Sequence, residues 1–345
     1  MNTYFKTMFQ FGFMSVSILL SSCSKDPIVS CPKADPLNGW EMQIYCPPFE
    51  KTLGNIFFVD ERTGFVVGEY GAILRTDDGG FTWNDLTFND QYRANSIFFI
   101  NEDTGFVSLQ SYYDRTCKLE YSESGGTNWV ERSSPQSGYF ESMHFSDSKN
   151  GVSFVWDKPE LESTIYWTND GGLSWNNTGI KALSTDYNKF IFPMKNIGFV
   201  IDENQQLLKT TDSGHTWNEI HTPIDSSIYS ISFKDANEGY IKSGSTVYKT
   251  IDGGISWQDV SSPFGSFTSY FLLDNQNAFA TINQAPYFET AGPTYTKFYS
   301  SNNNGSSWLE IGTLNNYFFH DLSFSSPNVA YGMIGNNSII KLERK

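Results

Sequence analysis

From residue 39 onward, apolar and polar positions alternate in short runs, broken every few residues by Gly, Asp, Asn or Ser. Alternation with a period of two puts every second side chain on one face of a strand. Each run therefore predicts a half-buried β-strand and each break a tight turn. Sustained helical periodicity is absent from this region. The runs also repeat as a unit. A strand ending in a large apolar residue is followed seven positions later by a second one, which Gly or Ala precedes: Phe58/Phe65, Phe99/Phe106, Phe145/Val152, Phe192/Phe199, Phe233/Tyr240, Leu272/Phe279 and Phe324/Tyr331. A period of roughly 43 residues suits a four-stranded sheet. In the first unit the predicted strands are Asn55–Asp60, Gly64–Glu69, Ala72–Thr76 and Thr82–Thr87.

A second motif, Ser/Thr-x-Asp-x-Gly-x-Ser/Thr-Trp, follows the first. It runs Thr76 to Trp83, Thr168 to Trp175, Thr211 to Trp217, and Thr250 to Trp257. Ser122 to Trp129 and Ser301 to Trp308 are degenerate copies, with Ser124 and Asn303 in place of Asp. Seven first halves thus meet six second halves. The missing one is Trp40, in the early segment 39–45, which predicts that the N-terminal strand completes the C-terminal sheet. The fold class is all-β: a seven-bladed β-propeller of four-stranded antiparallel blades, closed so that no sheet edge is left open. The motif resembles the Asp box of bacterial neuraminidase repeats. Asp78, Asp170, Asp212 and Asp252 are expected to accept hydrogen bonds within their own turns, with Trp83, Trp175, Trp217 and Trp257 as apolar plates. Carboxylates used identically around a ring cannot converge on one substrate, so these are structural residues.

The spacing also orients the molecule. The loops joining strands one to two and three to four fall on one face. Those joining two to three, and blade to blade, fall on the other. Only the second face varies in length, with insertions in the hairpins Gln110–Lys118, Trp156–Thr164 and Asn283–Lys297. Functional residues concentrate on loops held by a rigid frame. The candidate binding residues on this face are Tyr92, Arg93, Tyr112, Tyr113, Arg115, Trp156, Asp157, Tyr287, Glu289, Tyr317 and His320, with Tyr139, Phe140, Tyr187 and Phe267 in neighbouring loops. Exposed Tyr, Trp and Arg are typical of binding hot spots. The alternative for any one aromatic is packing within its own loop.

Composition changes the picture at the N-terminus. Residues 1–22 carry Lys6 as their only charge and an apolar run from Met8 to Leu20, too short to span a bilayer. Leu20-Ser21-Ser22-Cys23 resembles the lipobox of bacterial lipoproteins, which implies a cleaved signal peptide, a lipid on Cys23 and a tether over 23–38. Ser24 after the Cys resembles outer-membrane retention. With 23 basic against 38 acidic residues and a formal charge of −15, the surface repels nucleic acid. Of the remaining cysteines, Cys31 and Cys46 are the favoured disulfide and Cys117 the buried leftover thiol. The four histidines show no metal spacing, and no cofactor is implied.

The Phe-to-Gly-Phe first halves, the short blades and the lipobox together resemble the photosystem II stability/assembly factor-like propellers, over residues 39–342. That resemblance implies a non-enzymatic, monomeric ring that docks another protein. Photosynthetic members are thought to work through an Arg-rich surface that this chain lacks, so a photosynthetic partner is not implied. A sialidase needs three substrate-gripping arginines and an Arg-Ile-Pro segment. Only Arg93 and Arg115 are expected to reach the variable face, and no Arg-Ile-Pro exists. The reading is a lipid-anchored envelope propeller that binds a protein or glycan. The rival is a glycoside hydrolase using loop carboxylates such as Asp157 and Glu289.

Overall fold

In the computed structural model the protein is a ring of seven four-stranded sheets. The structure describes residues 37–345 except 48–50, 115, 134–138, 158–161, 183–189, 225–226, 245, 261–266, 268, 275, 285–293, 304, 318 and 335–337. Cys23, Cys31, Arg115, Tyr187, Tyr287 and Glu289 lie outside the described residues. Blades 1 to 7 begin with strands Leu53–Phe58, Tyr92–Phe99, Tyr139–Phe145, Phe190–Met194, Ile228–Phe233, Ser269–Leu272 and Phe319–Ser326. Within each blade the strands pair antiparallel in chain order, except that Trp40–Tyr45 supplies the outermost strand of blade 7. It pairs with Ser338–Arg344 in the register Trp40↔Arg344 to Tyr45↔Ile339. Trp40 is buried and packs edge-on to Phe279, 5.2 Å between centroids.

Each blade buries its two faces against its neighbours, and seven hydrophobic clusters fill the seven junctions. One joins Leu53, Ile56, Phe58 and Leu74 of blade 1 to Val329, Tyr331 and Met333 of blade 7, so the ring is closed. The first repeated motif is the source of this packing. Its first residue lies across from the Gly, as in Phe58↔Gly64. A Cβ on Gly64 would run into the Phe58 ring, so the missing side chain is what lets the aromatic lie flat on the sheet. The second residue stacks on the first residue of the following blade. Phe65 lies 3.7 Å from Phe99, Phe106 3.6 Å from Phe145, Phe199 3.5 Å from Phe233, and Tyr331 3.4 Å from Phe58 across the closure. The Trp of the second motif then caps its own blade's Phe edge-on, as in Trp83 on Phe58 and Trp217 on Phe192.

The motif turns share one hydrogen-bond pattern. The Asp78 Oδ1 accepts the Thr82 N–H at 2.9 Å and its Oδ2 accepts the Thr82 hydroxyl at 2.6 Å, while Thr76 Oγ1 accepts the Gly80 N–H at 2.8 Å. The turns of Asp170, Asp212 and Asp252 repeat it. Asn303 accepts the Ser307 N–H in the same way, at 2.8 Å. Because Thr82 is held by this turn, the outer strand of blade 1 starts later than its sequence pattern suggests and covers only Asn84–Asp85. A further clasp ties blades laterally. Arg75 lies over the Phe65 ring and donates to the carbonyls of Glu102 and Gly125 in blade 2, and Lys209 over Phe199 donates to the Ala236 carbonyl in blade 5. Cys46 is disulfide-bonded, with its partner outside the described residues, and Cys117 is a buried free thiol.

Candidate functional site

Antiparallel order places the hairpins between second and third strands, and the blade-to-blade loops, on one face. Hairpin height on that face differs among blades. The second strand is Gly64–Gly68 in blade 1 and Ile197–Ile201 in blade 4, but Gly105–Ser111 in blade 2, Gly151–Asp157 in blade 3 and Ala278–Gln284 in blade 6. The insertions therefore continue the ladder by extra rungs, such as Trp156↔Ser163 and Asp157↔Glu162. Asp157 and His320 occupy rim positions of blades 3 and 7 by strand register.

On this face, where blades 1 and 2 meet, the described residues form a cluster. The short hairpin of blade 1 turns through Glu69–Gly71, with Tyr70 in the left-handed region at φ 54. Gly71 also has positive φ, and a Cβ there would overlap the Asn89 carbonyl. The hairpin is thus pressed against the loop entering blade 2. Tyr112, on the taller hairpin of blade 2, leans across to it. The Tyr112 hydroxyl donates to the Glu69 carboxylate and accepts the Tyr70 N–H at 2.9 Å, and the two Tyr rings lie 5.5 Å apart. Arg93, at the start of blade 2, pairs with the other Glu69 oxygen at 3.3 Å. Burial and the adjoining Glu69 carboxylate push the Tyr112 hydroxyl up to about 12, so it stays a proton donor at any physiological pH. Tyr70 and Tyr113 stand out from this frame, 54% and 81% exposed. That is a large aromatic surface on a braced support.

Other candidates sit apart from this cluster. Trp156 pairs with Tyr139 on the blade 3 rim, ring centroids 5.1 Å apart. Tyr92 packs against the blade 1–2 core, with Lys118 5.7 Å from its ring. Tyr317 packs against the blade 6–7 core instead of standing on the rim. Phe140 and Phe267 are fully buried and serve the cores of junctions 2–3 and 5–6, Phe140 from within the first strand of blade 3, opposite Val155. Glu69 and Tyr70 were not among the candidates. Their hairpin carries no insertion, so length alone gave no reason to select it. The Glu-Tyr-Gly turn, with Gly placed to permit a left-handed bend, was the available signal. Among the described residues, no group of three or more His, Cys, Asp or Glu is placed to hold a metal ion.

Over residues 37–132 the chain matches the family model described as photosynthesis system II assembly factor YCF48. That stretch includes the closing strand and the whole Glu69–Tyr70–Arg93–Tyr112 cluster. It is 30% identical over 129 residues to the photosystem II assembly lipoprotein Ycf48 of Synechococcus sp. (strain CC9902), covering 35% of this chain and 35% of the relative. It is 29% identical over 189 residues to the chloroplastic photosystem II stability/assembly factor HCF136 of Arabidopsis thaliana, covering 51% of this chain and 43% of the relative. The match therefore spans less than half the length of either. The solved structure titled YCF48 bound to D1 peptide superposes with a TM-score of 0.67 at 16% identity, covering 92% of this chain and 100% of that one.

Proposed function

We propose, from the premise that this chain belongs to the photosystem II assembly factor-like propellers, that it is a docking ring for a segment of another protein. The observation that carries this reading is the braced aromatic cluster of blades 1 and 2. Tyr70 and Tyr113 offer rigid, amphipathic surface at small entropic cost, and Arg93 and Glu69 supply polar anchoring. A relative of the same fold is described with a bound peptide, which supports a peptide segment as the docked element. The lipobox at Cys23 and the lipoprotein names of relatives support a lipid-anchored, exported protein. The ring then sits at the outer membrane, on its periplasmic or outer side, where it meets the exposed segments of membrane-protein partners during their assembly.

The test is cross-linking in intact envelopes through a photoreactive residue at Tyr113, with mass-spectrometric identification of the adduct. One protein should recur, and Tyr70→Ala combined with Arg93→Ala should abolish its adduct while circular dichroism and the melting temperature of the ring hold. A recurring adduct that survives both substitutions refutes this cluster as the docking site.

A further inference from the structure

The rim of blade 3 carries a second arrangement that the cluster of blades 1 and 2 does not explain. Between Phe140 and Ser142 the register of the innermost strand slips by one residue. Glu141 is the extra residue of that bulge, and bulges re-aim a side chain away from the regular ladder. The Glu141 carboxylate crosses to the third strand of its own blade, where Oε2 accepts the Ser163 hydroxyl at 2.7 Å. Ser163 is fully buried and occupies the same rung as Trp156. Trp156 in turn pairs with Tyr139, the residue opposite it on the first strand. A half-buried carboxyl thus lies one rung from an aromatic pair at the rim. Among the described residues Ser163 is its one hydrogen-bonding partner, and no cation pairs with it. Burial pushes its ionisation up to about 7, the mark of a carboxylate short of compensating charge.

We infer that this rung of blade 3 is the receptor for a lysine or arginine side chain of the docked segment, with Glu141 as counter-ion and Trp156 and Tyr139 as its aromatic wall. A carboxylate supplies the charge and ring faces attract the cation they flank. The occupant's sign follows from the same chemistry, since an acidic or apolar side chain leaves Glu141 uncompensated. A chain with 38 acidic against 23 basic residues also steers towards basic partners. The inference rests on the docking reading above and specifies part of what is docked.

The probe is a fluorescein-labelled nonapeptide of Ser, Gly and Tyr with one central Lys, and a twin with norleucine in its place. Fluorescence anisotropy is read at pH 8, where Glu141 is ionised. The parent ring should bind the Lys peptide about tenfold more tightly than the twin. Glu141→Gln should erase that preference, Trp156→Ala should reduce it, and Glu102→Gln, an exposed carboxylate on the opposite face, should leave it intact. Equal binding of the two peptides, an unchanged preference in Glu141→Gln, or an equal loss in Glu102→Gln overturns the inference. Failure of the docking reading is separately visible, because Tyr70 and Arg93 substitutions would then leave the envelope cross-link in place.

Discussion

Replacing Glu141 by Gln should stabilise the ring by an amount that grows as pH rises from about 4.5 to about 7 and is constant above that. The folded protein holds the Glu141 proton until about pH 7, against an ordinary value of 4.5, because burial disfavours the charged form. The unfolded chain releases that proton first as pH rises. Stability contributed by the protonated group is therefore lost progressively between about pH 4.5 and pH 7, and the loss is constant above that. Each tenfold difference in proton affinity is worth about 1.4 kcal/mol. The full displacement corresponds to roughly 3 kcal/mol, and solvent reaching the half-buried carboxyl reduces this to about 1–2 kcal/mol. Gln keeps an acceptor for the Ser163 hydroxyl and has no charge to desolvate. Urea unfolding followed by tryptophan fluorescence at pH 5, 6, 7 and 8 checks this, since other titrating groups are common to both proteins and cancel in the difference. The variant should match the parent at pH 5 within a few tenths of a kcal/mol and exceed it by about 1–2 kcal/mol at pH 8. A gain that does not depend on pH, or a loss at pH 8, refutes the reasoning that Glu141 is buried without a cation.

His144 gives the opposite sign. It stacks on Phe192 at 4.2 Å, bonds the Lys195 carbonyl through Nε2, and burial lowers its ionisation to about 4 from 6.5. The unfolded chain takes up its proton first as pH falls, so the parent loses stability between pH 6.5 and 4 that His144→Phe should retain, by about 1–2 kcal/mol in the same urea assay at pH 4.5. In the motif turns, desolvation pushes the Asp212 carboxyl up but hydrogen bonds from Thr216 outweigh it and lower the net value. Asn303 already fills the equivalent place, so Asp212→Asn should melt within about 2 °C of the parent while Asp212→Ala costs about 1 kcal/mol. Phe99, 2% exposed and stacked on Phe65, should cost about 3–5 kcal/mol as Phe99→Ala, read from chemical unfolding.

The fold was legible because its repeats and its packing are the same residues. The Phe/Gly-Phe pairs are the stacked rings at each junction, and Gly64 is Gly because Phe58 lies across it. Trp40 was assignable to blade 7 because the count of second halves fell one short, and circular closure is the solution that leaves no sheet edge unpaired. Phe140 and Phe267 were misjudged for a related reason. Loop position and large apolar side chain suggested exposure, whereas both turn into junction cores.

The candidate site resisted because its geometry is lateral. Tyr112 and Glu69 are 43 residues apart, and nothing local to either marks the other. They meet because blade 1 has a short hairpin, blade 2 a tall one, and the ring sets them side by side, so the taller leans over the shorter. Glu141 is harder still. The alternation that identifies strands assumes an unbroken register, and its side chain reaches Ser163 only because that register slips at Phe140/Ser142. A period-two pattern read through residues 139–145 shows a strand and misses the slip. A repeated frame fixes what the blades share. What sets one blade apart lies in hairpin height and in the side chain carried at a bulge that blades 1, 2, 3 and 5 share, and those differences are visible once neighbouring blades can be seen together.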